Sequence, residues 1–265
     1  LRIEGVAALG PDAVISRTVF GFVPDMGELQ ELGVPIVEDI TEGVGANTGD
    51  RRAGTFGRFA IIGMEPDGII TAGGGALLLA GTRGDRTRLQ QSADQLPSDA
   101  LLPDMNAALG LTQVKELERF IARRAELAAF FARAVSRGRH TILVQPGDAE
   151  NIHFSFPVVL SGPVPEVTEY ARKKGVEADL AFSGSVLALH AEIERPAAVG
   201  GGAENTETEQ NAASDERRPG ADEAVQEAHY PVARSLLLRC LQFPLFPALS
   251  GGEASTIERV LSTLP

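Results

Sequence analysis

Val34-Pro-Ile-Val-Glu-Asp39, Gly45, Gly54, Gly57 and Ile69-Ile-Thr-Ala-Gly73-Gly74-Gly75-Ala76 mark one stretch, and its reading decides the fold. Val34 to Val37 is a short apolar run with a β-branched bias. Such a run reads as a buried strand of the parallel-sheet kind. Glu38 and Asp39 follow at its carboxyl end, where open α/β sheets bind their ligands. Phe59 to Ile62 reads as the next strand, and the triple glycine closes the unit. A carboxylate at a strand end among glycines is a ligand-site pattern. The same residues also suit a capping aspartate with ordinary turn glycines. Both readings stay open on spacing alone.

Outward from this unit, Ala13-Val-Ile-Ser16 reads as a strand, and a helix is expected from about Asp25 to Leu32. Leu77 to Ala80 finishes a strand. Residues 81–100 read as a polar loop or short helical excursion. Between 104 and 136 apolar side chains recur at helical spacing, among them Leu109, Val114, Leu117, Phe120, Leu127 and Phe131. This predicts one long helix or two joined helices. Residues 140–194 read as α+β, with strands at Thr141–Val144 and Asn151–Leu160, a helix at Pro165–Lys174 stopped by Gly175, and an extended run at Val176–Leu189. His153 and His190 stand alone and read as structural. The stretch at about 195–228 has almost no large apolar side chains and reads as a flexible acidic insertion. The end is expected as a helix at Pro231–Leu241, a strand-like Phe243–Pro247, and a last helix capped by Ser255.

The whole chain has 265 residues, 43% hydrophobic content and a formal net charge of -12. That length supports one or two domains with a large core. The acidic balance argues against a nucleic-acid surface, which needs clustered Lys and Arg. One cysteine, Cys240, leaves no intrachain disulfide and no zinc cluster. No apolar run reaches the roughly 20 residues of a membrane span. With no signal peptide visible, a cytoplasmic location is expected. A start without methionine reads as a fragment or a trimmed chain.

The ordered motifs resemble the DegT/StrS-type sugar aminotransferases, fold-type I enzymes that use pyridoxal phosphate (PLP). Glu38-Asp39 resembles the E-D of that family's V-I-E-D pattern. Gly45, Gly54, Gly57 and Gly74-Gly75-Ala76 follow in order. Asp104-Met-Asn-Ala-Ala-Leu-Gly-Leu-Thr-Gln113 resembles D-I-Q-A-A-L-G-L-x-Q, and Arg123-Arg124 sits where the family has R-R. Tyr230-Pro-Val-Ala and Leu241-Gln-Phe-Pro-Leu-Phe-Pro-Ala-Leu249 resemble F-P-x-A and L-P-L-Y-P-x-L. The resemblance implies an α/β, PLP-dependent transferase-like fold, with an incomplete large-domain sheet at 1–128 and a smaller α+β domain at 129–265. It places Asp39 against the PLP pyridine nitrogen and Glu42 beside the ring, as candidate cofactor-binding residues. It implies a homodimer, a nucleotide-sugar ligand, and PLP as the possible cofactor. No nucleic acid and no membrane are expected as partners.

Where the match fails is as informative. Asp67 occupies the position of the Schiff-base lysine, Ile62 that of the phosphate-contacting serine, Gly68 that of the following asparagine, and Gly73 that of the glutamate. An aspartate cannot form an imine, since only an amine condenses with the aldehyde. The only lysines are Lys115, Lys173 and Lys174. The family's first part, with its phosphate turn and ring-stacking aromatic, has no counterpart. Two readings follow. One is a non-transaminating pseudoenzyme, or a chain completed by a partner that supplies the first part. The other is a working PLP enzyme, an aminotransferase or a lysine-free dehydratase of nucleotide-sugar or polysaccharide biosynthesis, with Asp67 as base.

Overall fold

A computed structural model describes residues 3–193 and 230–265. The acidic stretch at 195–228 and the His190 side chain lie outside the described residues. Helix α1 (Ile3–Ala8) precedes strand β1 (Val14–Arg17), helix α2 (Met26–Glu31) and strand β2 (Ile36–Asp39). A two-stranded ribbon follows, β3 (Asn47–Thr48) and β4 (Arg51–Arg52), then β5 (Phe59–Gly63) and β6 (Ala76–Ala80). The main sheet has the order β1-β2-β5-β6. Its first three strands are parallel and β6 is antiparallel. Asp25 caps α2 by accepting the Glu28 N–H, and Met26 and Leu29 of that helix are buried. Each such side chain contributes about 1.5–3 kcal/mol on leaving water.

Alternation along the strands gives the sheet two unequal faces. Ile36, Ala60 and Ile62 are buried on the face that meets α2, with Met64, Ile69, Ile70 and Ala72 in the same core. On the other face Ile15 is 73% exposed and Leu78 is 59% exposed. Parallel sheets are ordinarily covered on both sides; among the described residues this sheet is covered on one.

Helix α3 (Arg83–Ala93) and a short 3₁₀ turn (Ser98–Ala100) lead to α4 (Asp104–Lys115) and α5 (Leu117–Val135). Then come β7 (Thr141–Ile142), β8 (Phe156–Val159), α6 (Val164–Lys173), β9 (Asp179–Leu180) and α7 (Val186–Ile193). After the undescribed stretch, α8 (Pro231–Arg239), β10 (Cys240–Phe243) and α9 (Gly251–Ser262) complete the chain. The second sheet runs β7-β8-β10-β9. Its core gathers Leu127 and Phe131 of α5, Val158 of β8, Val167 of α6, and Ile257 and Leu261 of α9. The segment at 145–154 reaches back to the first layer. Gln145 pairs with both backbone groups of Val23, and Ile152 joins the first core.

Several expectations are corrected. Of the two readings of residues 81–100 the helical one holds, as an eleven-residue helix, because Thr82 accepts the Asp85 N–H and caps it. Only Asp179–Leu180 of the Val176–Leu189 run is strand. Ser185 turns the chain into α7 instead, accepting the Ala188 N–H on its hydroxyl and the Leu189 N–H on its carbonyl, and the Leu and Ala that follow favour helix. The Asn151–Leu160 strand begins only at Phe156, since His153 adopts φ +54°. The last strand is Cys240–Phe243, one turn earlier than expected, because Pro244 and Pro247 have no N–H for a ladder. Ser250, not Ser255, caps α9. It forms a capping box with Glu253, while Ser255 sits inside the helix and donates to the Gly251 carbonyl. On α4, Leu109 and Val114 are exposed.

Candidate functional site

The carboxyl ends of β1 and β2 bring four charged side chains together, and the pleat divides their work. Glu38 points to the same side as Ile36 and is 2% exposed. One of its oxygens accepts the Gly54 N–H at 2.7 Å, and the other accepts those of Phe56 at 2.7 Å and Gly57 at 2.5 Å. A buried carboxylate must be paired or hydrogen-bonded, and here the loop backbone supplies all the donors. Gly57 is required by contact: a Cβ there would lie 2.6 Å from the Ile36 carbonyl oxygen.

Asp39 points the other way and is partly exposed. Its Oδ1 accepts from the Thr41 N–H at 3.1 Å and the Thr41 hydroxyl at 2.6 Å. The Thr41 oxygen in turn accepts the Gly63 N–H at 2.9 Å. Asp39 therefore caps the turn that follows β2 and ties it to β5. Its Oδ2 has only Arg17 Nε near it, at 3.8 Å. Glu42 is buried and fully engaged. Arg17 Nη2 reaches Oε1 at 2.6 Å, and the Phe20 N–H reaches Oε2 at 2.6 Å. That last bond holds Phe20 at φ +56°, a conformation non-glycine residues rarely adopt.

Asp67 lies in a turn closed by the Gly68 N–H to the Glu65 carbonyl at 3.0 Å. Ile62 points into the first core. Gly73, Gly74 and Gly75 all have positive φ, and the N–H groups of Ala72 and Gly74 both donate to the Met64 carbonyl. The triple glycine is thus a tight entry into β6. Of the lysines, Lys115 ends α4, and Lys173 pairs with Glu169 at 2.7 Å at the end of α6.

A cleft of about 1,030 Å³ opens between the Asp67 turn, α5 and the segment before α9. Arg124 is 3% exposed at its wall. Its Nη1 donates to the carbonyls of His153, Phe154 and Leu245 at 2.7–3.0 Å. Burial pushes its pKa down to about 10. The sequence pattern marks Glu38 as part of the E-D pair but not as the anchor of the 54–57 loop, and it marks neither Arg17 nor Thr41 as an organising residue. Glu38 was within reach: period-two alternation buries it beside Ile36, and Gly54 and Gly57 offer backbone donors.

This mixed α/β fold, a mostly parallel sheet joined to a smaller antiparallel layer, matches solved aminotransferase structures. It superposes on the aminotransferase TlmJ from Streptoalloteichus hindustanus with a TM-score of 0.74 at 18% identity, over 98% of this chain and 68% of that one. The Escherichia coli GDP-4-keto-6-deoxy-D-mannose-3-dehydratase, solved with bound hydrated PLP, gives a TM-score of 0.71 at 16% identity, over 98% of this chain and 70% of that one. In sequence, the Micromonospora echinospora L-glutamine:2-deoxy-scyllo-inosose aminotransferase is 25% identical over 171 residues, 54% of this chain and 41% of that protein. The Bacillus subtilis (strain 168) protein EpsN is 27% identical over 141 residues, 47% of this chain and 36% of EpsN. Residues 8–212 match the DegT/DnrJ/EryC1/StrS aminotransferase family, and the chain belongs to that family. Those two matches span about two-fifths of the relatives' own lengths. Among the described residues no helix is long and apolar enough to cross a membrane.

Proposed function

We propose that this chain is a sugar-aminotransferase-like protein that does not transaminate on its own. The observation that carries this is the absence of any lysine from residues 1–114, which hold every strand of the Asp39 sheet. The residues present do not fit a covalently held PLP. No lysine stands on the strands of the Asp39 sheet, and Glu42, expected beside the ring, spends both oxygens on Arg17 and Phe20. Asp67 takes the lysine's place on an exposed turn, and Ile62 offers no donor to a phosphate.

The half-covered sheet supports a chain completed from outside. Ile15 and Leu78 on the sheet, and Met105 and Leu109 on α4, are apolar and exposed, the kind of surface that marks association. We propose a homodimer through the α4 region, with a further polypeptide segment covering the open sheet face, and a nucleotide sugar of polysaccharide biosynthesis as ligand. A cytoplasmic location goes with this reading. Light scattering at micromolar concentration tests the dimer, and a monomer would overturn it.

One observation favours a second reading, a lysine-free PLP enzyme of the dehydratase kind. Asp39 Oδ2 carries no hydrogen bond from the described residues and could accept one from a protonated pyridine nitrogen. Asp67 would then be the base. The deciding experiment is an absorbance spectrum after mixing with PLP and dialysis, followed by borohydride. No retained band supports the first reading. A retained band that borohydride does not fix supports the second. A band fixed covalently would mean that an amine serves after all, and both readings would fall.

A further inference from the structure

The cleft at the junction of the two layers contains polar groups that neither the fold nor the proposed function uses. Arg124 is buried, yet it meets no carboxylate among the described residues. All its hydrogen bonds leave from Nη1. Nη2 bonds to no described residue, and Nε is buried without a partner. Ser155, on the same cleft wall, has a buried hydroxyl that is also without a partner. Orphaned buried polar groups are rare, because each carries a desolvation cost. Two such groups beside one cavity point to an acceptor that is brought in.

We propose that this cleft binds a small molecule through one compact oxyanion, a carboxylate or a phosphate, seated against Arg124 and Ser155. A guanidinium offers a planar fork of donors that matches such a group. At about 1,030 Å³ the cleft has the size of a small-molecule site. Arg119 and Arg123 also line it, but each is paired on its own helix, with Glu116 at 2.8 Å and Glu126 at 3.1 Å. That leaves Arg124 as the wall's arginine without a carboxylate partner among the described residues. Asp67, Glu177 and Asp179 line the same space and repel further negative charge. The ligand therefore carries one carboxylate or phosphate head on a body of hydroxyl or ammonium groups, not a diphosphate. This inference does not depend on whether PLP is held.

The test is a thermal-shift and calorimetric titration of the purified chain with gluconate, with glucose 6-phosphate, and with glucose as the neutral control. We expect a saturable rise in Tm with at least one anion and none with glucose; the anion that acts tells carboxylate from phosphate. Ser155→Ala removes an orphan hydroxyl, so the unliganded Tm should hold while the affinity falls about tenfold. Arg124→Lys keeps the charge, loses the fork, and should weaken binding at least as much. A wild-type chain with no saturable response to either anion would overturn the proposal. So would a response undiminished in Ser155→Ala, whatever Arg124→Lys does to folding.

Discussion

At the residue scale, the side chains that matter most face inward. Glu38 serves three backbone N–H groups and no side chain. Glu38→Ala should cost about 1–3 kcal/mol, because three donors lose their acceptor in a buried place; urea unfolding would read it as a lower midpoint at unchanged slope. Histidines set a pH dependence. Burial pushes His140 below its ordinary value, with Arg139 adding to this and the Leu264 and Pro265 carbonyls opposing it without making hydrogen bonds. His140 Nδ1 already accepts the Ser161 N–H at 3.1 Å, so a proton there would displace a bond. His153 is lowered by burial and then by Arg124. With folded values below the ordinary 6.5, the unfolded chain binds more protons as pH falls. Stability should be full above that value and drop as pH falls below it. Unfolding midpoints at pH 7.5 and 5.5 would show the drop, and a His140→Gln, His153→Gln pair should flatten it.

At the element scale, the last helix is a useful gauge. Ser250 and Glu253 satisfy each other's backbone at its start, so Ser250→Ala should cost about 1 kcal/mol, measurable by denaturation, whereas Ser255→Ala should cost less. The parallel strand at Ile36–Asp39 and the helix from Met26 were legible, since β-branched runs and an Asp cap carry local signals. The misread elements had signals that competed. Val186–Leu189 is apolar without alternation, and such a run fits helix or strand until Ser185 is seen to cap it. His153 breaks its strand through a bond made with Asn151, two residues back, which no periodicity reports. For the site, Asp39 and Asp67 were found as positions, but their partners were not. Arg17 and Glu42 lie 25 residues apart in sequence and meet only because β1 and β2 pair in register.

At the scale of the whole molecule, two cores share α5, whose first half borders the sheet layer and whose second half is buried in the other. Phe131 is fully buried there, edge-on to Phe156 at 5.5 Å. Phe131→Ala should cost about 3–5 kcal/mol, and calorimetry would show the smaller layer melting first. The open sheet face leads to a different expectation. Ile15→Glu with Leu78→Lys should lower binding of an apolar dye and leave Tm nearly unchanged, since both side chains already face water. A large fall in Tm would show that the face is covered in solution. The Glu38 clamp reaches further than stability. It grips the loop at 54–57 by its amides alone, so it is indifferent to what those residues display. Thr55 is exposed and can be exchanged freely, whereas Phe56, which packs against the first core and stacks under Arg51 at 4.0 Å, is held by its ring, and Glu38 and Gly57 cannot change. The loop is a mount whose outer fitting can be changed: a randomised library at 55 should return mostly folded chains, and one at 38 and 57 almost none.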